Sequence, residues 1–297
     1  MKLNGKNQFL AFLKGDKGDR GLDGSGINPN LLINGDFRVN QRGKELYTAT
    51  GTSWIYTADR WRMYNVNNTF NATTKTIKLK GTTTFEQSLE DYKAVAGKTV
   101  TLSAKINSLN GSAFKLFIVK GGVGEVVGNV ISSTGIVSFT TTIDANITSL
   151  RVGIKNTSSD TATFNEIVVD YFKLEIGSVA TAFSPRPYAE EFAMCQRYFQ
   201  RYNFALNMPL PIGVGRNSTT ISINFMTPKL RTNPTFKTGG TVKILNSPST
   251  TGLTLVANQY YDGCYRMFVN TSNITEGGGY CLAGETTGYY ELDAEIY

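Results

Sequence analysis

Aromatic residues are the side chains whose type and spacing most suggest a chemistry in this sequence. The apolar face of a pyranose sugar packs on a flat ring, and the polar tip of Tyr or Trp can still form a hydrogen bond. One aromatic group lies in residues 47–64 and another in residues 260–289. From these groups we predict carbohydrate-binding side chains at six positions: Trp54, Tyr56, Tyr260, Tyr261, Tyr265 and Tyr280. The alternative for the strand tyrosines is packing between subunits.

Hydrolytic and metal chemistry has little support. The sequence contains no histidine, which excludes a His-ligated zinc site, a Ser-His-Asp triad and a Cys-His pair. Asp and Glu are present, but nothing groups two of them as the acid and base of a glycosidase. We therefore predict that the chain is not an enzyme. The three cysteines are predicted to be free thiols, and the alternative is a Cys264–Cys281 bond if their strands are adjacent.

Length and composition indicate two globular units that are mostly β. The chain has 297 residues, of which 18% are charged and 40% hydrophobic, so it can bury two cores. The formal net charge of +7 is spread thinly, which suits solvated strand faces better than a nucleic-acid groove. A weak attraction to an anionic cell-wall polymer stays open. We expect neither a secretion signal at the start nor a segment that crosses a bilayer.

Two periodicities meet in residues 163–202, where a strand ends and a helix is predicted to begin. Phe172, Leu174 and Ile176 alternate with polar residues, as in a strand with one buried face. After Pro187, apolar residues recur at steps of four and three, which predicts a linker helix in residues 185–202. Its apolar stripe consists of Tyr188, Phe192, Cys195, Phe199 and Tyr202. Two interpretations remain open: a helix lying on its own domain, or a seam where copies of the chain meet.

A short glycine repeat predicts that three copies of the chain associate. Glycine opens successive triplets in residues 15–26, as the crowded axis of a collagen triple helix requires. The alternative is a polar flexible linker. Residues 1–14 contain Phe9-Leu-Ala-Phe-Leu13, which we interpret as a peg that docks into another protein. The predicted contacts of the homotrimer are Gly15, Gly18, Gly21, Gly24, Tyr188, Phe192 and Phe199.

Alternating apolar residues predict a β-sandwich in residues 27–184 and a second β domain in residues 203–297. In the first region the pattern runs through residues 100–106, 137–143 and 150–154. In the second it runs through residues 221–225, 265–269 and 290–296. Many short strands separated by turns with Gly, Asn or Ser are typical of sandwich folds.

Three parts of the sequence resemble bacteriophage tail-fibre and receptor-binding proteins. The run from Lys173 to Pro187, followed by Cys195-Gln-Arg-Tyr-Phe, resembles their domain junction. Residues 30–43 and 54–61, the latter ending in Asp-Arg-Trp, resemble the first strands of the carbohydrate-binding-module-like jelly rolls found in phage fibres. Residues 228–236 and the closing Leu-Asp-Ala-Glu-Ile-Tyr resemble the C-terminal domain that lies at the distal tip of many fibres.

This resemblance implies a homotrimeric protein of a virion tail or phage-tail-like particle, made in the cytoplasm of the host bacterium. It would attach to baseplate or tail proteins through its N-terminus and bind bacterial surface glycan at its tip, where the loop Thr275–Tyr280 would shape the rim. It also implies a structural role for Trp61. We predict no cofactor; some of the resembling modules hold a structural calcium near the strand ends where Asp36 and Asp170 lie, and the alternative is a surface carboxylate and a carboxylate at a β-bulge. The alternatives are a tail-associated polysaccharide depolymerase and a purely structural fibre spacer.

Overall fold

The computed structural model describes residues 28–111, 113–203, 212–239, 242–245, 254–261, 263–270, 273–284 and 288–296. These residues are mainly β, with four sheets and a single α-helix, which confirms the predicted fold class at that level. The predicted peg and the collagen-like segment, with Gly15, Gly18, Gly21 and Gly24, lie outside the described residues. No helix in the described part of the chain is long and apolar enough to cross a membrane.

Two six-stranded antiparallel sheets build the first β region. One sheet has the order β1 (Leu46–Thr48), β4 (Thr69–Asn71), β5 (Thr76–Leu79), β12 (Asn165–Ile176), β7 (Thr99–Asn110) and β10 (Gly135–Thr142). The other has the order β2 (Ile55–Tyr56), β3 (Arg62–Met63), β6 (Thr83–Leu89), β11 (Leu150–Asn156), β8 (Phe114–Lys120) and β9 (Gly124–Val130). A short 3₁₀ turn, Tyr92–Val95, connects β6 to β7.

The strands of both sheets turn alternate side chains into one shared core. Leu102 of β7 and Val152 of β11 are fully buried in it, at positions where the sequence pattern predicts buried residues. Trp61 is also fully buried, with its ring stacked on Phe85 and Phe172 at centroid distances of 5.3 and 4.8 Å. The structural role expected for Trp61 is confirmed.

The helix that follows this sandwich is shorter than predicted. Helix α1 spans Tyr188–Gln196, and after a turn the chain enters strand β13, Phe199–Asn203. The predicted helix is therefore wrong beyond Gln196, because the backbone of β13 pairs with a strand from the far end of the sequence. Tyr188 is 55% exposed and stacks on the half-buried Phe192 at a centroid distance of 5.9 Å.

Phe199 does not belong to an apolar stripe on the helix, and its predicted role as a trimer contact is corrected by its position. Its side chain is 1% exposed within this single chain. The guanidinium carbon of Arg42 lies 3.7 Å from its ring centroid. A ring covered in this way cannot at the same time face a second copy, so the contacts of Phe199 stabilise the chain itself.

The second β region contains a small sheet and a large one, both antiparallel. The three-stranded sheet has the order β13, β21 (Tyr289–Asp293) and β16 (Thr235–Gly239). The six-stranded sheet has the order β17 (Val242–Leu245), β20 (Gly279–Gly284), β14 (Ile212–Asn217), β15 (Thr220–Met226), β19 (Cys264–Asn270) and β18 (Thr254–Tyr261). Cys264 and Cys281 lie on strands that β14 and β15 separate, and both are free thiols.

Buried charges join the two β regions. Arg60 and Glu295 form an ion pair whose side chains are 1% and 0% exposed. Arg42 lies between Asp59 and Glu295, at N–O distances of 3.5 and 3.4 Å. The guanidinium carbon of Arg60 is also 3.6 Å from the ring centroid of Tyr198. We call Arg42, Asp59, Arg60 and Glu295 the charged joint. Each of its charges has an opposite partner, and separating the two regions would break the pairs that Arg42 and Arg60 form with Glu295.

Candidate functional site

The two predicted carbohydrate contacts in the sandwich have different surroundings. Tyr56 is 8% exposed, and its hydroxyl donates a hydrogen bond to the backbone carbonyl of Ile296. Burial raises the pKa of the Tyr56 hydroxyl. This ring therefore belongs to the contact between the β regions, which corrects its predicted role. Trp54 is half-buried, with the guanidinium carbon of Arg62 4.4 Å from its ring centroid, and remains a candidate.

The predicted tyrosines of the second region are mostly internal. Tyr265 is fully buried and stacks on Phe236 at a centroid distance of 5.5 Å, and burial raises the pKa of its hydroxyl. The half-buried Tyr260 accepts hydrogen bonds from the backbone N–H groups of Leu230 and Gly263 at 2.6 and 3.1 Å. Burial removes Tyr265 as a ligand contact, and Tyr260 holds backbone in place.

Two further tyrosines complete the predicted set. Tyr261 belongs to β18, and its side chain lies outside the described part of the structure. Tyr280 is 5% exposed, and its hydroxyl accepts a hydrogen bond from the N–H of Thr275 at 2.8 Å. The predicted contact at Tyr280 is therefore corrected to a positioning role, because this bond fixes the start of the glycine-rich loop.

The glycine-rich loop, Thr275–Tyr280, forms a rim that backbone hydrogen bonds hold against β14. Its backbone exchanges two 2.9 Å hydrogen bonds with β14, from Gly215 N–H to the Gly278 carbonyl and from Gly277 N–H to the Gly215 carbonyl. A Cβ atom at Gly215 would lie 2.2 Å from the Thr275 carbonyl oxygen, so only glycine permits this approach. These contacts leave Glu276 exposed beside β14, an inner strand of the six-stranded sheet.

Beside the rim, the six-stranded sheet carries a shallow groove of about 570 Å³ on its outward side. Ile221 and Ile223 point into the core, so Ser222 between them must face outward, and the same alternation applies to β19. Six of the lining residues define the chemistry of the groove: Val214, Arg216, Ser222, Arg266, Phe268 and Glu276. We call these six residues the rim groove.

The rim groove combines a ring with charged and polar groups. Phe268 is half-buried, and the guanidinium carbon of Arg216 lies 5.1 Å from its ring centroid. The Nε of Arg266 donates to Asn224 Oδ1 at 2.8 Å. The two guanidinium groups donate hydrogen bonds, and the Glu276 carboxylate accepts them. Glu276 is a carboxylate among the described lining residues, and with the two guanidinium groups it offers both donors and acceptors to an oxygen-rich ligand.

None of the six rim-groove residues is among the site residues predicted from the sequence, although Glu276 lies in the loop that was expected to shape the rim. The pattern over β19 draws attention to Tyr265, Met267 and Val269, which are the buried face of the strand. The intervening residues of a strand with one buried face point to solvent. The sequence therefore does carry a signal for Arg266 and Phe268, because they occupy the positions between the buried residues of this strand.

The carboxylates predicted to bind calcium already have cationic partners. Asp170 contacts the ammonium groups of Lys75 and Lys105 at 2.9 and 3.3 Å. The hydrogen bond from Lys75 holds the pKa of Asp170 below its usual range. Asp36 pairs with Arg38 Nε at 3.2 Å. In the described residues, no three His, Cys, Asp or Glu side chains group as metal ligands. These ion pairs favour the alternative at both positions, a carboxylate that is paired within the chain.

No family model matches the chain, and no curated protein matches it. One similar structure contains the CBM22-1–GH10 modules of the N-terminal endo-1,4-beta-D-xylanase 10B of Clostridium thermocellum with xylohexaose, at 13% identity and a TM-score of 0.30. The match covers 62% of this chain and 34% of that one, so this chain spans about a third of its length.

Another similar structure is the N-terminal CBM22-1–CBM22-2 tandem domain of Paenibacillus barcinonensis Xyn10C. It is 12% identical with a TM-score of 0.30, and the match covers 93% of this chain and 92% of that one. At these TM-scores neither similarity defines the fold, the ligand or the function of this chain.

Proposed function

We propose that this protein is a non-enzymatic receptor-binding protein of a phage tail fibre or phage-tail-like particle, and that it binds bacterial surface glycan through the rim groove. The observation that carries the proposal is the half-buried Phe268 among Arg216, Arg266 and Glu276 on an outward sheet face. A sugar ring can pack on an aromatic side chain while the surrounding charged groups bind its hydroxyl or acidic substituents.

The assignment to a tail fibre is supported by the sequence resemblance. The Asp-Arg-Trp and Cys-Gln-Arg-Tyr-Phe motifs meet at the contact between the β regions, since Arg60 lies over the ring of Tyr198. In the proposed particle the N-terminal segment attaches to baseplate or tail proteins and three chains associate. Three linked copies of a weak site gain about 10²-fold or more in avidity without any new contact.

The proposal is tested with point variants of the full chain. Phe268→Ala and Arg266→Gln are each expected to weaken binding to a bacterial glycan array about tenfold, a loss of about 1.4 kcal/mol per site. Met226→Ala is the matched control, because Met226 is 77% exposed on the neighbouring strand β15 and does not line the groove. Circular dichroism checks that each variant is folded.

Two results would contradict this proposal. Unchanged array binding by both groove variants would exclude the rim groove as the glycan site. A loss of binding by Trp54→Ala together with that result would favour the sandwich instead. Chromatography of labelled polysaccharide after incubation with the chain is expected to show no released oligosaccharide. Release would establish the depolymerase alternative.

A further inference from the structure

A second cleft, of about 360 Å³, lies where the two β regions meet. The sandwich contributes the end of β6, the 3₁₀ turn and the start of β11, and the second region contributes Arg231 and Ile296. Hydroxyl-bearing side chains line its wall, namely Ser88, Tyr92, Thr148 and Ser149. None of its described lining residues belongs to the rim groove, so the two sites can be perturbed separately. We call this space the junction cleft.

Positive charge exceeds negative charge around the junction cleft. The buried Glu86 carboxylate is shared by Arg62 at 2.8 Å and Arg151 at 3.0 Å. Glu90 is shared in the same way by Arg197 at 3.2 Å and Arg231 at 3.7 Å. Four guanidinium groups thus meet two carboxylates, a formal excess of two positive charges. In a cleft partly shielded from water the effective dielectric is lower than in bulk solvent, which strengthens the attraction of this excess for an anion.

Two of the arginines keep hydrogen-bonding capacity for a ligand. Arg151 donates to Glu86 through Nη1, and Arg231 donates to the carbonyls of Ala294 and Glu295 through Nη1. Within the described residues, the Nη2 of neither arginine makes a hydrogen bond. Their side chains are 32% and 23% exposed, so both are open to solvent in the cleft. Arg62 is different, because its side chain is 6% exposed and all three nitrogens are engaged.

We propose that the junction cleft is an oxyanion site that binds the phosphate or carboxylate group of an acidic sugar or polyol. Arg151 and Arg231 donate to the oxyanion from opposite β regions, and the hydroxyl groups of the wall bind the sugar or polyol oxygens. Guanidinium matches both groups, since each presents two oxygens to its planar fork. The cleft volume falls in the range of small-molecule sites and accommodates one sugar residue.

Calorimetric titration of the full chain tests this site with three probes: glycerol 3-phosphate, glucuronate and uncharged glucose. We expect the anions to bind with dissociation constants on the order of 1 mM and to weaken as salt is added. Arg151→Gln and Arg231→Gln are each expected to lower the affinity about tenfold, because each removes a hydrogen bond to a charged group. The bound anion contacts both regions, so it should also raise the unfolding temperature.

Lys155→Gln is the matched control. Lys155 lies on β11 with Arg151 and on the same face, but its ion pair is with Glu125 and it does not line the cleft. This variant should bind the anions like the unmodified chain. Because Arg151 and Arg231 come from different β regions, a folding defect in one variant leaves the other as an independent test.

Each result of the titration either supports or overturns the oxyanion site. Binding of only one anion would support the site and identify its preferred group. Equal binding of glucose, or equal anion affinity in the two arginine variants and the Lys155 control, would overturn the proposal. Neither result bears on the rim groove, whose variant Phe268→Ala is measured on a different ligand set.

Discussion

Replacing Glu295 by Gln is expected to lower the free energy of unfolding by about 3–5 kcal/mol, the usual cost of removing one partner of a buried ion pair. The carboxylate is fully buried and neutralises Arg60, whose side chain is 1% exposed. After the substitution Arg60 keeps its hydrogen bond to the Ser88 carbonyl and its position over Tyr198, but its charge has no carboxylate. A neutral amide cannot offset the desolvation of that guanidinium.

Urea unfolding followed by tryptophan fluorescence measures this loss, because Trp61 is buried in the core next to Arg60. Glu166→Gln is the matched control: it makes the same chemical change in an exposed pair with Lys78, where the side chains are 37% and 47% exposed. Exposed pairs contribute about 0–1 kcal/mol. If Glu295→Gln costs no more than Glu166→Gln, the charged joint does not stabilise the fold.

A double variant examines the cause of the loss. Arg60→Met combined with Glu295→Leu removes both charges and leaves apolar side chains in the joint. Such replacements are often neutral or stabilising, since no charge is then buried without a partner. The double variant should therefore be more stable than Glu295→Gln alone, and a further loss of stability would refute the assignment of the cost to the unpaired Arg60.

Three further predictions concern pH, packing and assembly. Burial raises the pKa of Asp59 from 3.8 to about 6, so the folded chain binds a proton here that the unfolded chain releases. The free energy of unfolding should therefore fall by up to about 3 kcal/mol as the pH rises from about 4 to about 6, and urea unfolding of Asp59→Asn should lack this contribution. Phe199→Ala should cost about 3–5 kcal/mol in urea unfolding because the ring is buried within the chain, whereas Tyr188→Ala, at a site 55% exposed, should cost about 0.5 kcal/mol or less. Light scattering of the full chain at micromolar concentration should give three chains per particle, and a clean monomer would contradict the proposed trimer.

Local alternation made much of the fold predictable. The period of two over residues 100–106 and 150–154 identified β7 and β11, because one face of each strand is buried in the sandwich core. The same signal was ambiguous after α1. Steps of four and three through Phe199 and Tyr202 fit a helix, but Phe199–Asn203 also fits a strand, and pairing with β21 decides the outcome.

The candidate site was less predictable, for two physical reasons. Tyrosine suits both a core and a ligand contact, and its sequence context did not reveal that Tyr265 and Tyr280 are buried. The arginines of the junction cleft come together only in the folded chain. Arg62 and its acceptor at Ile296 are separated by 234 residues, so no local pattern relates them.

The charged joint can form only after Glu295 has been synthesised. Arg42 and Arg60 leave the ribosome 253 and 235 residues before their partner Glu295. At about 10 residues per second this interval is about 25 seconds, during which the sandwich strands can already pair. Throughout that time the two arginines lack this carboxylate and must stay hydrated. A nascent chain that stops short of Glu295 would therefore expose the part of the sandwich that carries Arg42 and Arg60, which the closed joint buries.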